Sequence, residues 1–191
     1  MSTFEDEAKK NQPTDKLNVS MVKYFWSTGV LSSKKVKNVP RFLRGLDIFK
    51  SFSDFELKVL VNHLHLRAFS DGEVICKKGD LAFGYYIIYD GRCHVYDDDF
   101  IGEEAFLDEG DSFGELALVQ ENNLRTATVK ANGSAVLLCL LIPDMEELIA
   151  SNPKVASRLL VSLARLVTQR LVSSVDEINT LKQKIKELTN D

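Results

Sequence analysis

The chain changes its hydrophobic period twice. From Phe42 to Leu66 apolar residues recur at helical spacing, with Leu57, Leu60, Val61 and Leu64 as a stripe. Ser53 followed by Glu56 marks a capping box at a helix start. The period then falls to two. Apolar runs at 67–69, 74–76, 85–88, 93–96, 101–107, 127–131 and 136–141 alternate with turn residues and predict short strands. Asp71-Gly72, Lys78-Gly79-Asp80 and Glu109-Gly110-Asp111 read as turns, and Asp90-Gly91 predicts a hairpin between its flanking runs. Many short strands with glycine turns predict a barrel or jelly roll. After Pro143 the helical period returns, with a short helix over 144–150, a break at Asn152-Pro153 and a long helix over 154–188. Its seam is Leu160, Ala164, Val167, Leu171, Ser174, Ile178, Leu181, Ile185 and Leu188, stepping alternately by four and three. That is a heptad pattern with one polar fault at Ser174, and Val172 and Val175 lie off the seam, toward the β domain.

The fold class that follows is α+β: a β jelly roll flanked by an N-terminal helix and a long C-terminal helix. Residues 1–40 form a polar N-terminal tail and basic linker, 41–152 the jelly roll with its leading helix, and 153–191 the C-terminal helix with coiled-coil heptads.

Composition narrows the picture further. A chain of 191 residues, 45% hydrophobic, is long enough for one domain with a proper core plus extensions. A net charge of −4 argues against general affinity for nucleic acid. Cys76, Cys93 and Cys139 are far apart and lack CxxC spacing, so they read as buried, reduced thiols. The N-terminus has no apolar signal-like core, and the longest apolar run, 135–142, is too short to span a bilayer. A cytoplasmic location is the expectation. From Lys23 to Arg44 there are six basic residues and no acidic one, beside Tyr24, Phe25 and Trp26. A linker with a solvated helix face explains this better than docking on a membrane or an acidic partner.

Asp97, Asp99 and Gly102 match three places of a calcium loop, but Ile101 and Asp108 stand where ligands belong, so no metal site is expected. His63 and His65 are two apart and point to different faces of a helix, and His94 lies in a hairpin strand. No P-loop, nucleophile elbow, zinc pattern or acid–base carboxylate pair is present, so an enzyme is not expected.

The chemistry concentrates in Phe113-Gly114-Glu115-Leu116-Ala117-Leu118 and Arg125-Thr126-Ala127-Thr128. Gly114 permits positive φ and close approach of a ligand. Glu115 to Leu118 open a helical turn whose free N–H groups suit a phosphate. Arg125 offers a fork of donors for two phosphate oxygens, and Glu115 accepts from a sugar hydroxyl. The plainer alternative is that Glu115 and Arg125 pair with each other on a hairpin surface.

This segment resembles the phosphate-binding cassette of cyclic nucleotide-binding domains, as in protein kinase A regulatory subunits, cyclic nucleotide-gated channels and Crp-type regulators. The spaced pattern Gly72, Glu73, Gly79, Asp80, Tyr86, Ile87, Gly91, Val95 and Tyr96 resembles the same family, so the likeness runs from about Leu46 to Ala150. It implies a cyclic nucleotide, cAMP or cGMP, as ligand. Gly114, Glu115, Leu116 and Ala117 would form the ribose and phosphate-amide end, Arg125 the phosphate clamp, and Thr126 a contact to a syn guanine. It also implies a non-catalytic regulatory sensor acting on an unknown effector, with residues from about Ala164 to Ile178 as a mobile lid. One alternative is a scaffold with a vestigial pocket. Another is a truncated Crp-type transcription regulator, which needs a helix-turn-helix after the long helix, whereas this sequence ends at Asp191 within the heptads. The heptads predict a parallel homodimer. Leu171, Ile178 and Ile185 take one seam position, Ser174, Leu181 and Leu188 the other, and Glu177 faces Lys182 of the partner subunit.

Overall fold

The structure is a computed structural model that describes residues 39–96, 105–120 and 124–189. The tail and most of the basic linker, the calcium-like loop at 97–102 and the first part of the 101–107 run lie outside the described residues. Helix α1 (Val39–Gly45), a 3₁₀ turn (Asp47–Phe49) and helix α2 (Asp54–Val61) lead in. Six strands follow: β1 (His65–Phe69), β2 (Val74–Cys76), β3 (Gly84–Tyr96), β4 (Ala105–Leu107), β5 (Ser112–Phe113) and β6 (Thr128–Leu141). A 3₁₀ turn, Glu115–Leu118, separates β5 from β6. Helices α3 (Ile142–Ser151) and α4 (Pro153–Thr189) close the chain.

The expected single helical stretch from Phe42 to Leu66 is in fact three pieces and the start of a strand. Gly45 ends α1, and Ser53 starts α2 with the predicted capping box: its hydroxyl accepts from the Glu56 amide, and Glu56 accepts from the Ser53 amide at 2.7 Å. Leu64 and Leu66 continue the apolar spacing, but Leu66 belongs to β1, opposite Leu138.

All six strands join one antiparallel sheet in the order β1-β6-β3-β4, with β2 also paired to β6 and β5 to β3. The Asp71-Gly72 turn forms, with Gly72 at φ 71° and the Glu73 amide donating to Ser70. Its flanking strands do not pair with each other; both run against β6.

The Asp90-Gly91 hairpin is wrong. Residues 84–96 form one continuous strand paired along its length with β6, itself continuous where two strands were expected. The register shifts at Ile88/Asp90 and Asp90/Arg92, so the Asp-Gly dipeptide marks a bulge. A Cβ on Gly91 would meet the β6 backbone at Ser134 and Ala135, and Gly91 takes φ 86°. The positive φ that favours a hairpin turn here lets two long strands bend together without separating.

Both faces of the central strands are buried, which is why β3 reads as a nearly unbroken apolar run. Tyr85, Ile87, Leu138 and Leu140 pack against the helices with Leu43, Phe49, Leu57, Leu60, Leu148 and Leu159. Tyr86, Ile88, Cys93, Leu137 and Cys139 fill the interior on the opposite face. Cys93 and Cys139 are buried free thiols, and Cys76 is half-buried and free. Burial pushes the Cys93 thiol up to about 11 and that of Cys139 well above its ordinary value.

The first part of α4 packs on this core through Val155, Ala156, Leu159, Ser162 and Leu163. From Leu171 onward its side chains are exposed, including Leu171, Ile178, Leu181, Ile185 and Leu188. Val172 and Val175 are exposed too, which corrects their expected orientation toward the β domain. The helix runs past the domain before they are reached. Ala164, placed on the seam, is likewise exposed. No described helix is long and apolar enough to cross a membrane.

Candidate functional site

Strand β5 ends at Phe113, and Gly114 takes φ 78°, ψ 18° and turns the chain into the Glu115–Leu118 turn. Only glycine suits this place. A Cβ would overlap Nη1 of Arg125 and stand 2.8 Å from the Gly84 carbonyl oxygen. The turn is 3₁₀ rather than α, with the Ala117 amide donating to the Gly114 carbonyl at 3.1 Å.

Arg125 arrives just before β6. Its amide donates to Asp80 O at 2.8 Å, and its carbonyl accepts from the Gly79 amide at 2.9 Å. The Lys78-Gly79-Asp80 turn therefore clamps the backbone on both sides of this residue. The side chain is 7% exposed. Its Nη2 donates to the Gly84 carbonyl at 2.9 Å, and its guanidinium lies 4.9 Å from the centre of the Tyr86 ring. Tyr86 stacks in turn on Phe113, with centroids 5.0 Å apart. A buried cation backed by one carbonyl and one ring face still has donors to offer an anion. Burial also pushes the Tyr86 hydroxyl well above its ordinary range, so it stays neutral beside the cation.

Glu115 is 8% exposed, and among the described residues it pairs with Arg170 of α4, not with Arg125. The surface pairing of Glu115 with Arg125 is therefore not what the structure has. Oε2 of Glu115 stands 2.7 Å from Nη1 of Arg170. Nη2 of Arg170 donates to the Ser112 carbonyl at 2.6 Å. Tyr85 is buried beneath this group beside Ser112 and Glu115, and burial pushes its hydroxyl up to about 12.

These residues enclose a cavity of about 180 Å³. Gly114, Glu115, Leu116, Arg125 and Thr126 all line it, with Cys76, Val95, Phe113, Leu124 and Arg170. Ala117 is buried outside the lining. One wall is apolar, and burial raises the Cys76 thiol despite the nearby Arg125. The lining carries one carboxylate and two guanidinium groups. Such a site suits a small molecule with an apolar face, a hydroxyl donor and a single negative charge. A wider groove between α2 and the start of α4 is lined by Phe52, Phe55 and Lys154, but its Arg158 is already held by Glu56 at 3.1 Å and by the Ser51 carbonyl. Among the described residues no cluster of three or more His, Cys, Asp or Glu could hold a metal ion.

Residues 66–152 match the cyclic nucleotide-binding domain family. Over these residues, fewer than half of the chain, the sequence is similar to cyclic nucleotide-binding domains. The bovine cyclic nucleotide-gated channel alpha-2 is 30% identical over 167 residues, 77% of this chain and 25% of the channel. The domain also superposes on the regulatory domain of Toxoplasma gondii PKA solved with cAMP, at TM-score 0.58 and 26% identity, covering 73% of this chain and 51% of that one. The catabolite activator protein of Thermus thermophilus gives TM-score 0.62 at 26% identity, covering 71% and 62% of the two chains. The chain spans only about a fifth to a quarter of the channels, 20% of one and 25% of another.

Three residues of the site escaped the sequence reading. Gly84 supplies the carbonyl that holds Arg125, and a Cβ there would stand 2.5 Å from the Leu140 carbonyl oxygen. Its only signal was a glycine opening an apolar strand, a mark of close backbone approach. Tyr86 belongs to the family pattern, which says nothing of its stacking on Phe113. Arg170 lay in the expected lid with no local pattern to single it out.

Proposed function

We propose that this chain is a non-catalytic regulatory protein of the cytoplasm that binds cAMP or cGMP in the cavity at Gly114. The observation that carries the proposal is the buried Arg125, fixed from both sides by its backbone and backed by Gly84 and Tyr86. The cyclic phosphate would sit on Arg125, the ribose hydroxyl on Glu115, and Leu116 would cover the sugar. Thr126, exposed in the cavity lining, would meet the base. The two guanidinium groups and one carboxylate leave one positive charge, which a singly charged cyclic phosphodiester balances.

Small-molecule pockets usually measure about 300–1,000 Å³. The cavity, at about 180 Å³ with Arg170 in its wall, is tighter than that. This supports a lid reading of α4, in which nucleotide binding repositions the helix. The ligand must then favour one helix position over the other for binding to be felt elsewhere. The same helix carries the exposed heptads, and we propose that it forms a parallel homodimer. Isoleucine at Ile178 and Ile185 with leucine at Leu181 and Leu188 is the two-stranded pattern.

The test is calorimetric titration of the whole chain with cAMP and with cGMP, beside Arg125→Ala. Binding of either nucleotide, weakened by about 1.5–3 kcal/mol for each charge-assisted bond lost, is the expected result. Equal affinity in Arg125→Ala refutes the assignment.

A further inference from the structure

Strand β5 is only two residues long, Ser112–Phe113, and its ladder partners on β3 are Ile87 and Tyr86. So short a ladder holds the chain weakly, and the side-chain pair across it carries more of the work. Phe113 lies directly opposite Tyr86, and their rings stack with centroids 5.0 Å apart and planes at 18°. The Gly114 turn that presents Glu115 springs from this pair. The same Tyr86 ring carries the Arg125 guanidinium, 4.9 Å from its centre. Tyr86 is 2% exposed and faces Cys139 of β6 on its other side, so neighbouring strands fix it from both directions. One aromatic side chain therefore supports both charged groups: the guanidinium directly, and the carboxylate through Phe113.

We propose that Tyr86 and Phe113 are positioning residues that fix the separation of Arg125 from Glu115, and so make the site selective for a cyclic over a linear nucleotide. The inference rests on reading the cavity as the nucleotide site. The chemistry of the ligand supplies the reason. In a 3′,5′-cyclic nucleotide the phosphate is fused to the ribose, so its oxygens and the 2′-hydroxyl stand at a fixed separation. In a 5′-monophosphate the phosphate hangs on rotatable bonds and must give up that freedom to span the same two groups. Two protein groups held at one spacing therefore gain most from the preorganised, fused ligand. When the clamp or the turn drifts, the cyclic ligand loses its advantage. The linear ligand, which can follow the drift, loses little. The extra charge of a monophosphate is the same in every variant and cancels when variants are compared.

The experiment measures affinity for cAMP, cGMP and the matching 5′-monophosphates, the latter by displacement calorimetry. The proteins are wild type, Tyr86→Phe, Tyr86→Leu and Phe113→Leu. Tyr86→Leu should weaken the cyclic nucleotide by about 3- to 30-fold, the span of a buried cation–π contact, and the monophosphate by about twofold or less. The cyclic-to-linear ratio falls by the difference. Phe113→Leu should lower the ratio in the same direction, through the turn. Tyr86→Phe keeps the ring and should keep the ratio. Equal losses of cyclic and linear ligand in Tyr86→Leu and Phe113→Leu overturn the proposal, because a merely structural role scales both alike. A loss in Tyr86→Phe as large as in Tyr86→Leu overturns it too, by assigning the effect to the hydroxyl. If Tyr86→Leu does not fold, Phe113→Leu, at a half-buried position, decides alone. If wild type binds neither cyclic nucleotide, the nucleotide reading fails and takes this inference with it. If wild type binds and the ratio holds in the variants, this inference alone fails.

Discussion

Replacing Gly114 with alanine should abolish tight nucleotide binding while leaving the domain folded, and Gly133→Ala is the control that isolates the reason. Both glycines have left-handed backbones, at φ 78° and φ 74°. An L-residue there costs about 1–2 kcal/mol. The lost freedom of the unfolded chain offsets about 0.4–1 kcal/mol of that. Gly133→Ala should therefore lose about 1 kcal/mol of stability, and Gly114→Ala more, because its Cβ also stands 2.8 Å from the Gly84 carbonyl oxygen; both are read as shifts in urea midpoint. The two sites differ in their surroundings. A Cβ at position 133 meets nothing within 4 Å, whereas one at position 114 overlaps Nη1 of Arg125 and crowds the Gly84 carbonyl. The guanidinium must leave the carbonyl and the Tyr86 ring that aim it. Losing one charge-assisted bond to a phosphate costs about 1.5–3 kcal/mol. At 1.4 kcal/mol per decade, Gly114→Ala should raise Kd by about 10- to 150-fold, and Gly133→Ala should leave it unchanged. Calorimetry gives both numbers. If Gly114→Ala binds like Gly133→Ala, Arg125 does not hold the ligand from the position described.

Other substitutions probe separate parts of the proposal. Arg125→Lys should weaken binding despite the retained charge, because a point charge replaces a planar fork; calorimetry showing wild-type affinity would remove the bidentate phosphate role. Thr126→Ala should cost cGMP more than cAMP, and equal losses in parallel titrations would show that Thr126 does not read the base. The double substitution Ile178→Asp/Leu181→Asp, well outside the β domain, should convert a dimer to a monomer in light scattering without changing the melting of the domain. A wild-type chain that is monomeric at tens of micromolar would refute the seam.

Legibility in the sequence followed the range of the interaction. The Ser53–Glu56 capping box spans four residues and forms as expected. Gly114 was legible because a glycine before an apolar turn has few other reasons to be there, and the structure gives it φ 78°. The failures come where a distant strand decides. Asp90-Gly91 has the local chemistry of a hairpin, yet β6 pairs with residues on both sides of it, and the ladder on a long partner overrides a two-residue turn preference. The helical spacing from Phe42 to Leu66 broke for the same reason. His65 and Leu66 find partners in Cys139 and Leu138, and sheet pairing takes the end of the pattern away from the helix.

Arg170 marks the limit of such reading. Its neighbours in sequence show only a helix, and nothing in Gln169-Arg170-Leu171 distinguishes this arginine from Arg165 on the same helix. What selects it is rigid geometry. The core residues Leu159 and Leu163 set the direction of α4, and the helical rise of 1.5 Å per residue carries position 170 about 10 Å beyond Leu163. That distance brings the guanidinium to Ser112 and Glu115. The next residue, Leu171, opens the exposed apolar seam. Adjacent residues thus face the cavity and the proposed subunit contact. If α4 tilts as one body about its buried start, Arg170 cannot shift against Glu115 without Leu171 moving relative to the β domain. Coupling between ligand and assembly then needs no relay of side chains, only a stiff helix anchored at one end and tied to the cavity near its middle.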